Sequence, residues 1–273
     1  MKISILGCGW LGLPLGQSLL EKGYVVRGST TRAEKLSDLR AIGIEPLWLQ
    51  LTPEPKGIGW DYLLDTEVLI INVPPRLEKA GAGYHVAQMR HLKSLVETST
   101  VQKIIYVSST SVYGDLNREV SEQEVTIPSE AAAPALVEAE QLVQQLGRPW
   151  LVLRCGGLMG YERIPAKYVA GKKDIATGEV PVNYVHRDDV IGVIEAFLQN
   201  TSIWNEVYNV VAPLHPTRRE VYISSGRKFG YEAPTFVSSA SPNDFKIISS
   251  QKLTTHLGYS FKYSNPLDFY YGQ

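Results

Sequence analysis

The chain has 273 residues, a formal net charge of −1 and 44% hydrophobic residues. This balance, without a dense Lys/Arg cluster, argues against a dedicated nucleic-acid-binding protein, and the apolar content is typical of a globular one. No stretch reaches the ~18 apolar residues of a membrane helix. The only cysteines, Cys8 and Cys155, form neither a metal-ligand spacing nor a disulfide framework, so we expect a cytoplasmic protein without a bound metal.

Short apolar runs alternate with helical periods through the first 155 residues. The runs predict strands at 3–6, 24–27, 44–49, 67–73, 103–107 and 150–154. The helical periods predict one helix carrying Leu11, Leu15 and Leu19, and others at 34–41, 86–97 and 135–146. This alternation implies an α/β fold with a doubly wound parallel sheet, which binds ligands at the carboxyl ends of its strands. The corresponding loops begin at Gly7, Gly28, Leu49, Asn72, Ser108 and Cys155.

Beyond residue 155 the alternation becomes irregular. The clearest helix there is 188–198, which has its apolar residues on one face, and Asp188 is in the position of an N-cap. We therefore expect a Rossmann-like domain at 1–155 plus about 183–200. The segments 156–182 and 201–273 are expected to form a smaller C-terminal α+β substrate lobe.

A GxGxxG motif, Gly7-Cys-Gly9-Trp-Leu-Gly12, follows the first strand and precedes the first helix. In such a loop the first glycine permits a tight turn, the second lets the backbone approach a diphosphate, and the third allows helix and strand to pack closely. This context favours a dinucleotide site over a glycine turn without a ligand.

The end of the second strand bears on which dinucleotide is bound. NAD sites usually have an acidic residue there, whereas this chain has Ser29, Thr30 and Arg32. Hydroxyl groups and a guanidinium suit a 2′-phosphate, which favours NADP over NAD. The alternative is that Arg32 lies in the first turn of a solvated helix that the Ser and Thr side chains cap.

With these loops in place, the chain resembles the extended short-chain dehydrogenase/reductase superfamily, of the NAD-dependent epimerase/dehydratase type. The resemblance spans nearly the whole chain and is carried by GCGWLG at 7–12, VSSTSVYGD at 107–115, VLRCGGLMG at 152–160, NYVHRDDV at 183–190 and YNVVAP at 208–213. It implies a nicotinamide dinucleotide on the sheet and a small-molecule substrate, often a nucleotide sugar, under the C-terminal lobe.

The resemblance also implies roles for individual residues. Gly7, Gly9, Trp10, Leu11 and Gly12 would hold the diphosphate, and Leu49, Gln50 and Leu51 would lie beside the adenine. Asn72, Val73 and Pro74 would pass the adenosine ribose, Ser108 would meet the nicotinamide end, and Cys155, Gly156 and Gly157 would contact the nicotinamide from the far side. Ser109 falls on the catalytic Ser/Thr position of the family.

The chain departs from the family at the redox acid, which is a tyrosine four residues before a lysine. Ala132 and Leu136 occupy these two positions, and no Tyr or Lys lies anywhere between Asp115 and Arg148. The usual Ser-Tyr-Lys mechanism therefore cannot operate, and the chain is an atypical member. Thr110 and Ser111 replace the acidic pair of the sugar dehydratases, which argues against dehydration.

Several residues are candidates for the missing roles, each with a plainer alternative. Tyr113 is a candidate acid, although the family tyrosine usually lines the substrate pocket. Arg76 would hold a substrate phosphate or carboxylate, or is an exposed loop residue. His186 would contact substrate, or is a structural latch for the helix that follows it.

A further group of polar residues lies on the helices. Glu138 and Glu140 are acid candidates that a solvated helix face explains equally well. Tyr84, His85 and His91 face either the cleft or solvent, because their helical phase does not decide between the two.

Two functions remain open from the sequence. One is an NADP-preferring enzyme that transfers hydride to or from a small carbonyl or hydroxyl substrate, with Ser109 orienting it and Tyr113 or water as the acid. The other is a non-catalytic NADP(H)-sensing module. Many relatives pair through helices on the sheet faces, so the helices beginning near Val86 and Ala135 are candidates for a homodimer contact.

Overall fold

A seven-stranded sheet organises the chain in the computed structural model, which describes residues 1–75, 81–200, 202–239 and 241–272. In chain order the strands are β1 (Lys2–Leu6), β2 (Val25–Thr30), β3 (Glu45–Trp48), β4 (Val68–Ile71), β5 (Lys103–Ser109), β6 (Glu119–Val120), β7 (Trp150–Cys155), β8 (Gly157–Met159), β9 (Tyr184–His186), β10 (Glu206–Val210) and β11 (Ile247–Ile248). The helices are α1 (Gly12–Glu21), α2 (Leu36–Ala41), α3 (Trp60–Leu64), α4 (Ala82–Glu97), α5 (Pro134–Gln144), α6 (Arg187–Gln199), α7 (Arg218–Phe229) and α8 (Gln251–His256).

The strand order of the large sheet is β10-β7-β5-β4-β1-β2-β3. The chain winds outwards from β1 in one direction through β2 and β3, and in the other through β4 and β5, by parallel pairings. This confirms the predicted doubly wound parallel sheet. Its switch point lies between β1 and β4, where the loops after the two strands diverge and leave a crevice for a ligand.

The apolar runs of the sequence form the centre of this sheet. All four residues of β4 are buried, and Leu6 of β1 lies opposite Ile71 of β4 in the register. Because this layer has helices on both faces, its strands are continuous apolar runs rather than alternating ones. The two strands therefore end at the same level, which brings the residues after Leu6 and Ile71 side by side.

β2 and β5 continue at least two residues beyond their predicted ends, and the helices α3, α7 and α8 were not predicted. β2 continues to Thr30, because Ser29 and Thr30 still pair with Leu47 and Trp48 of β3. β5 continues to Ser109, and α3 is a five-residue helix without a sequence signal of its own. The residues predicted to lie in a loop after Gly28 are thus strand residues, which fixes their direction in the sheet.

The chain divides into two compact units. The first unit comprises Met1–Val112, Val125–Arg154 and Phe197–Val207, and the second comprises Tyr113–Glu124, Cys155–Ala196 and Tyr208–Gln273. The second unit contains two small parallel pairs, β8 with β9 and β6 with β11. None of the helices in the described ranges is long and apolar enough to cross a membrane.

A buried carboxylate organises the C-terminal part of the second unit. Asp189, which is fully buried, accepts hydrogen bonds from the Tyr259 hydroxyl at 3.1 Å, from the Lys262 amide at 2.6 Å and from the Tyr263 amide at 3.1 Å. Burial raises the pKa of the Asp189 carboxyl, and these hydrogen bonds oppose that rise. One side chain of α6 thereby fixes the path of the chain after α8.

We predict that Asp189→Ala lowers the free energy of unfolding by about 2–4 kcal/mol, because it leaves buried donors of the C-terminal segment without acceptors. Urea unfolding measures this change. Asp268→Ala, which removes an exposed carboxylate of the same unit, is the control and should stay within about 0.5 kcal/mol of the parent. Equal effects of the two substitutions would contradict the anchoring role.

Candidate functional site

The loop between β1 and α1 is held from both sides at Gly7. The Gly7 amide donates to the Ser29 Oγ of β2 at 2.9 Å, and the Asn72 Nδ2, directly after β4, donates to the Gly7 carbonyl at 2.9 Å. The Cys8 amide adds a hydrogen bond to the Ser29 carbonyl at 2.7 Å. A side chain of β2 and one directly after β4 thus hold both backbone polar groups of Gly7.

The three glycines of the motif serve different purposes. Gly7 has φ +110°, and a Cβ there would lie 2.3 Å from the Asn72 carbonyl oxygen. A Cβ on Gly12 would lie 2.3 Å from the Gly7 carbonyl oxygen, whereas a Cβ on Gly9 would meet nothing within 4 Å. The fold therefore requires glycine at 7 and 12, but no contact with the described residues requires it at 9. An open, exposed glycine face is what close approach of a diphosphate needs.

Backbone donors accompany this open face. Within the described part of the chain, the amides of Gly9, Leu11 and Gly12 donate no hydrogen bond. They lie at the N-terminus of α1, a ten-residue helix with no side-chain cap, where amide groups and the helix dipole favour an anion.

A cleft of about 510 Å³ in the first unit extends from this loop along the ends of β2, β3 and β4. Among the residues predicted to hold the dinucleotide, those that line it are Gly7, Gly9, Ser29, Thr30, Arg32, Leu49, Gln50, Leu51, Asn72, Val73 and Pro74. Trp10, Leu11, Gly12 and Ser108 belong to the same unit but are not among the lining residues. Most of the residues predicted from the sequence to bind the cofactor therefore line one cleft.

The end of the cleft at β2 is positively charged. Arg32 is exposed, and its guanidinium makes no hydrogen bond or ion pair with the residues that the structure describes. Among the described residues that line it, none is Asp or Glu. Arg32 precedes a short 3₁₀ turn at Ala33–Lys35 that has no side-chain cap, so the alternative of Ser and Thr side chains capping a helix is not observed.

A buried hydrogen-bonded chain supports the opposite wall, where Tyr84 and Gln88 of α4 line the cleft. Gln88 donates to the Leu51 carbonyl, and its Oε1 lies 3.1 Å from the Nδ1 of His85. The Nε2 of His85 lies 2.8 Å from the Tyr106 hydroxyl, so a proton on Nδ1 satisfies every member of the chain. Burial lowers the pKa of His85, which favours this neutral form.

The sequence left the direction of this helix open and missed Gln88. The structure brings Tyr84 to the cleft, buries His85 completely and leaves His91 off the lining. The available signal was the spacing of four residues between Tyr84 and Gln88, which places both on one helix face.

A buried ion pair lies behind the end of β5. The carboxylate of Glu140 in α5 receives the guanidinium of Arg154, with both side chains at most 3% exposed, and accepts from the Ser108 hydroxyl at 2.6 Å. A solvated helix face therefore does not account for Glu140. Ser108, predicted at the nicotinamide end, directs its hydroxyl to Glu140, and Glu138 pairs with Arg90.

Ser109 is the last residue of β5 and is half-buried. Its Oγ accepts from the Ser111 amide at 3.1 Å and lies 2.9 Å from the Ser111 Oγ. These contacts fix the hydroxyl at the carboxyl end of a central strand. Ala132, in the family's tyrosine position, lies two residues before α5, and Leu136 is buried in that helix.

The remaining predicted residues belong to the second unit. Tyr113 is buried, and its hydroxyl donates to the Asn209 Oδ1 at 2.7 Å. The structure thus gives its phenol a packing position instead of an exposed position for proton transfer. Cys155 is buried, and burial raises the pKa of its thiol, like that of Cys8, to about 12. A Cβ on Gly156 or Gly157 would collide with Asn183 or Tyr184, so packing alone explains both glycines.

His186 has a structural role in the second unit. It is fully buried, its Nδ1 accepts from the Asp188 amide at 3.2 Å, and its Nε2 lies 2.9 Å from the Tyr270 carbonyl oxygen. The expectation that Asp188 caps α6 is therefore wrong, because the helix begins at Arg187 and the imidazole takes the capping position. Arg76, predicted to bind substrate, lies outside the described residues.

No group of three or more His, Cys, Asp or Glu side chains suited to a metal ion occurs among the described residues. The polar groups along the cleft are amides, hydroxyls and one guanidinium, which suit a phosphorylated organic ligand.

Several solved structures share the fold of this chain. UDP-glucuronic acid 4-epimerase from Bacillus cereus, in complex with UDP-glucuronic acid and NAD, has a TM-score of 0.79 at 19% identity, covering 98% of this chain and 96% of that one. A short-chain dehydrogenase/reductase superfamily protein from Agrobacterium tumefaciens with bound NAD has a TM-score of 0.75 at 14% identity, covering 96% and 93%. A functionally unknown conserved protein from Silicibacter pomeroyi has a TM-score of 0.74 at 22% identity, covering 97% and 95%. The chain shares its fold with these epimerase and short-chain dehydrogenase/reductase structures, as the sequence motifs predict.

A closer relative is found among curated proteins. Protein YeeZ of Escherichia coli K12 is 35% identical over 269 residues, which is 97% of both chains. The chain therefore belongs to the YeeZ family. No protein-family model matches it.

We predict opposite outcomes for two alanine substitutions in the loop. Gly12→Ala should lower the free energy of unfolding by about 1–3 kcal/mol, because its methyl group overlaps the Gly7 carbonyl. Gly9→Ala should change it by no more than about 0.5–1 kcal/mol, because its methyl group enters open space. Thermal unfolding of the two variants without added ligand measures both effects, and a Gly9→Ala variant as unstable as Gly12→Ala would contradict the division of roles.

Proposed function

We propose that the cleft of the first unit binds a nicotinamide dinucleotide and that NADP is preferred. The observation that carries this proposal is the open face of Gly9 beside the unpaired amides of Leu11 and Gly12. A bound diphosphate would account for both observations. Packing against the described residues does not require glycine at position 9, and the amides of Leu11 and Gly12 have no acceptor among those residues.

The residues along the cleft fit the rest of such a ligand. Gln50 and Leu51 would flank an adenine beyond β3, and Val73 would pack against the adenosine ribose after β4. Several solved structures of the same fold contain NAD, which supports this orientation. The ends of the strands meet at one edge of the sheet, so a single extended ligand spans these contacts.

The preference for NADP rests on Arg32. Its unpaired guanidinium, next to the Thr30 and Ser29 hydroxyls, offers donors to a 2′-phosphate. No carboxylate occurs among the described lining residues, so these residues lack the usual acceptor for a free 2′-hydroxyl. The Ser29 Oγ already accepts from Gly7, so we expect Ser29 to contribute only its proton.

We further propose that the protein is an enzyme acting on a small carbonyl or hydroxyl compound, with a nucleotide sugar as the candidate substrate class. A bound nicotinamide supplies hydride transfer. Ser109 would orient the reacting oxygen from the end of β5, and water would exchange the proton, because Tyr113 is buried and bonded to Asn209. The support for sugars is that UDP-glucuronic acid 4-epimerase shares the fold.

An NADP(H)-sensing module is the second candidate, and the buried ion pair behind β5 favours it. Ala132 and Leu136 replace the family's tyrosine and lysine. Glu140, an acidic residue of the same helix as Leu136, has its carboxylate occupied by Arg154 and Ser108. A helix with these features retains its packing against the sheet while it lacks a proton donor of its own.

We predict that Arg32→Ala weakens NADPH binding about 10–100-fold, because charge-assisted hydrogen bonds to the 2′-phosphate contribute about 1.5–3 kcal/mol. NADH binding should stay within about twofold. Calorimetric titration with both coenzymes measures the difference, and Arg40→Ala, an exposed arginine of neighbouring α2, is the matched control. Equal losses of NADPH and NADH affinity in Arg32→Ala would count against a 2′-phosphate contact.

We predict that Ser109→Ala lowers kcat about 100-fold or more while NADPH affinity is unchanged, because the hydroxyl orients the reacting oxygen. Oxidation of NADPH in the presence of UDP-sugars and simple carbonyl compounds provides the assay, with Ser94→Ala on the exposed face of α4 as control. Tight NADPH binding by the parent protein with no turnover of any compound would favour the sensing function instead.

A further inference from the structure

A second cavity lies wholly within the second unit, beside the short parallel pair of β6 and β11. Its volume is about 350 Å³, within the range of about 300–1,000 Å³ usual for small-molecule sites. Six polar side chains line it: Glu119, His215, Ser249, Ser250, Gln251 and Thr254, the last of which donates its hydroxyl proton to the Gln251 carbonyl at 2.9 Å. Neither the sequence motifs nor the glycine-loop cleft accounts for this group.

The walls of the cavity are fixed by hydrogen bonds that occupy the backbone. The Ser249 amide donates to the Val120 carbonyl at 2.9 Å, and the Ile248 amide donates to the Asn183 Oδ1 at 2.8 Å. The Asn209 Nδ2 donates to the Ser249 carbonyl at 3.1 Å. The strand that lines the cavity is therefore held from several directions, which preorganises its side chains.

Four of the polar side chains that line the cavity make no hydrogen bond with the described residues. Ser250 is only 6% exposed, yet its hydroxyl has no hydrogen-bond partner within the described ranges. The same holds, among those residues, for the Ser249 hydroxyl, the Gln251 amide and the Glu119 carboxylate. A nearly buried hydroxyl usually has a partner, so the unused hydroxyl of Ser250 points to a ligand. Gln251 and Glu119 are exposed and Ser249 is half-buried, so their polar atoms are open to the same ligand.

His215 adds an acceptor of fixed direction. Its Nδ1 lies 3.0 Å from the Val182 carbonyl oxygen, a contact that requires the proton on Nδ1 and leaves Nε2 as an acceptor. Burial lowers the pKa of His215 and so favours this neutral form. His215 and Glu119 are therefore pure acceptors, while the serines and Gln251 both donate and accept.

We propose that this cavity binds a neutral, hydroxyl-rich ligand of the size of a monosaccharide. A sugar hydroxyl donates to an imidazole nitrogen or a carboxylate and also accepts from a serine or an amide, so it matches both kinds of wall group. An anion would face the Glu119 carboxylate without a compensating cation on the wall. Pro213 and Ile247 supply apolar surface for the C–H face of a sugar ring.

The site is separate from the glycine-loop cleft, so it stands whether or not that cleft binds a dinucleotide. Titration of ¹⁵N-labelled full-length protein with D-glucose, D-glucuronate and D-glucosamine, followed by backbone amide chemical shifts, tests it. We expect D-glucose to produce saturable shifts at Ser249, Ser250 and Gln251, and D-glucuronate to bind more weakly. No saturable shift with D-glucose would overturn the proposal.

Variants locate the binding. Ser250→Ala and Gln251→Ala should each weaken D-glucose binding about tenfold, the loss of roughly one hydrogen bond. Thr255→Ala, an exposed position of α8 outside the lining, should leave the affinity unchanged. Because Gln251 is exposed, its variant remains informative if Ser250→Ala does not fold. Two outcomes would contradict a neutral sugar site. One is that folded Gln251→Ala binds D-glucose as well as the parent does. The other is that only D-glucosamine binds and that Glu119→Gln abolishes this binding. NADPH affinity of the same samples reports separately on the first unit.

Discussion

The structure of the cleft depends on the way the backbone of one residue, Gly7, is held at both of its peptide groups. Ser29 accepts its amide proton and Asn72 donates to its carbonyl oxygen, each at 2.9 Å. These partners come from β2 and from the end of β4, the two neighbours of β1 in the sheet. Because strand register fixes the positions of these side chains, the turn that leads into α1 is held in one place relative to the sheet. This turn leads to the amides at the start of α1, which donate no hydrogen bond within the described residues.

Two buried polar chains support this arrangement from behind. Gln88 and His85 connect the Leu51 carbonyl to Tyr106 in β5, and Glu140 connects Ser108 to Arg154 in β7. Removing one member of such a chain exposes its partners to the full desolvation cost, whereas the intact chain holds its elements in one arrangement. The first chain fixes a wall of the cleft, and the second fixes the strand that ends in Ser109. As a rigid frame these chains suit an enzyme and a sensing module alike, so the two functions differ in proton transfer, for which the carboxylate of Glu140 is occupied.

Much of the fold could be predicted from sequence, because each signal acts locally. Apolar runs of four to seven residues alternate with helical periods, and the glycine motif lies where a strand meets a helix. The sequence therefore predicts that residues after consecutive strands, such as Gln50 and Asn72, lie at one edge of the sheet. The end of β2 was missed because Gly, Ser and Thr read as a loop, while in the sheet they pair with β3.

The rest could not be predicted, because it depends on which side of an element faces the interior. From the sequence, Glu140 could be an exposed helix residue and Tyr113 could line a pocket. Their burial becomes evident only from partners that lie far away in the chain, Arg154 for Glu140 and Asn209 for Tyr113. The imidazole cap of α6 depends likewise on Tyr270, 84 residues away. The most direct test of the central claim is an NADPH titration that follows the backbone amide signals of Gly9, Leu11 and Gly12. Our account predicts large, saturable shifts at these three amides, reflecting new hydrogen bonds to the diphosphate. Saturable NADPH binding that leaves all three unchanged would contradict it.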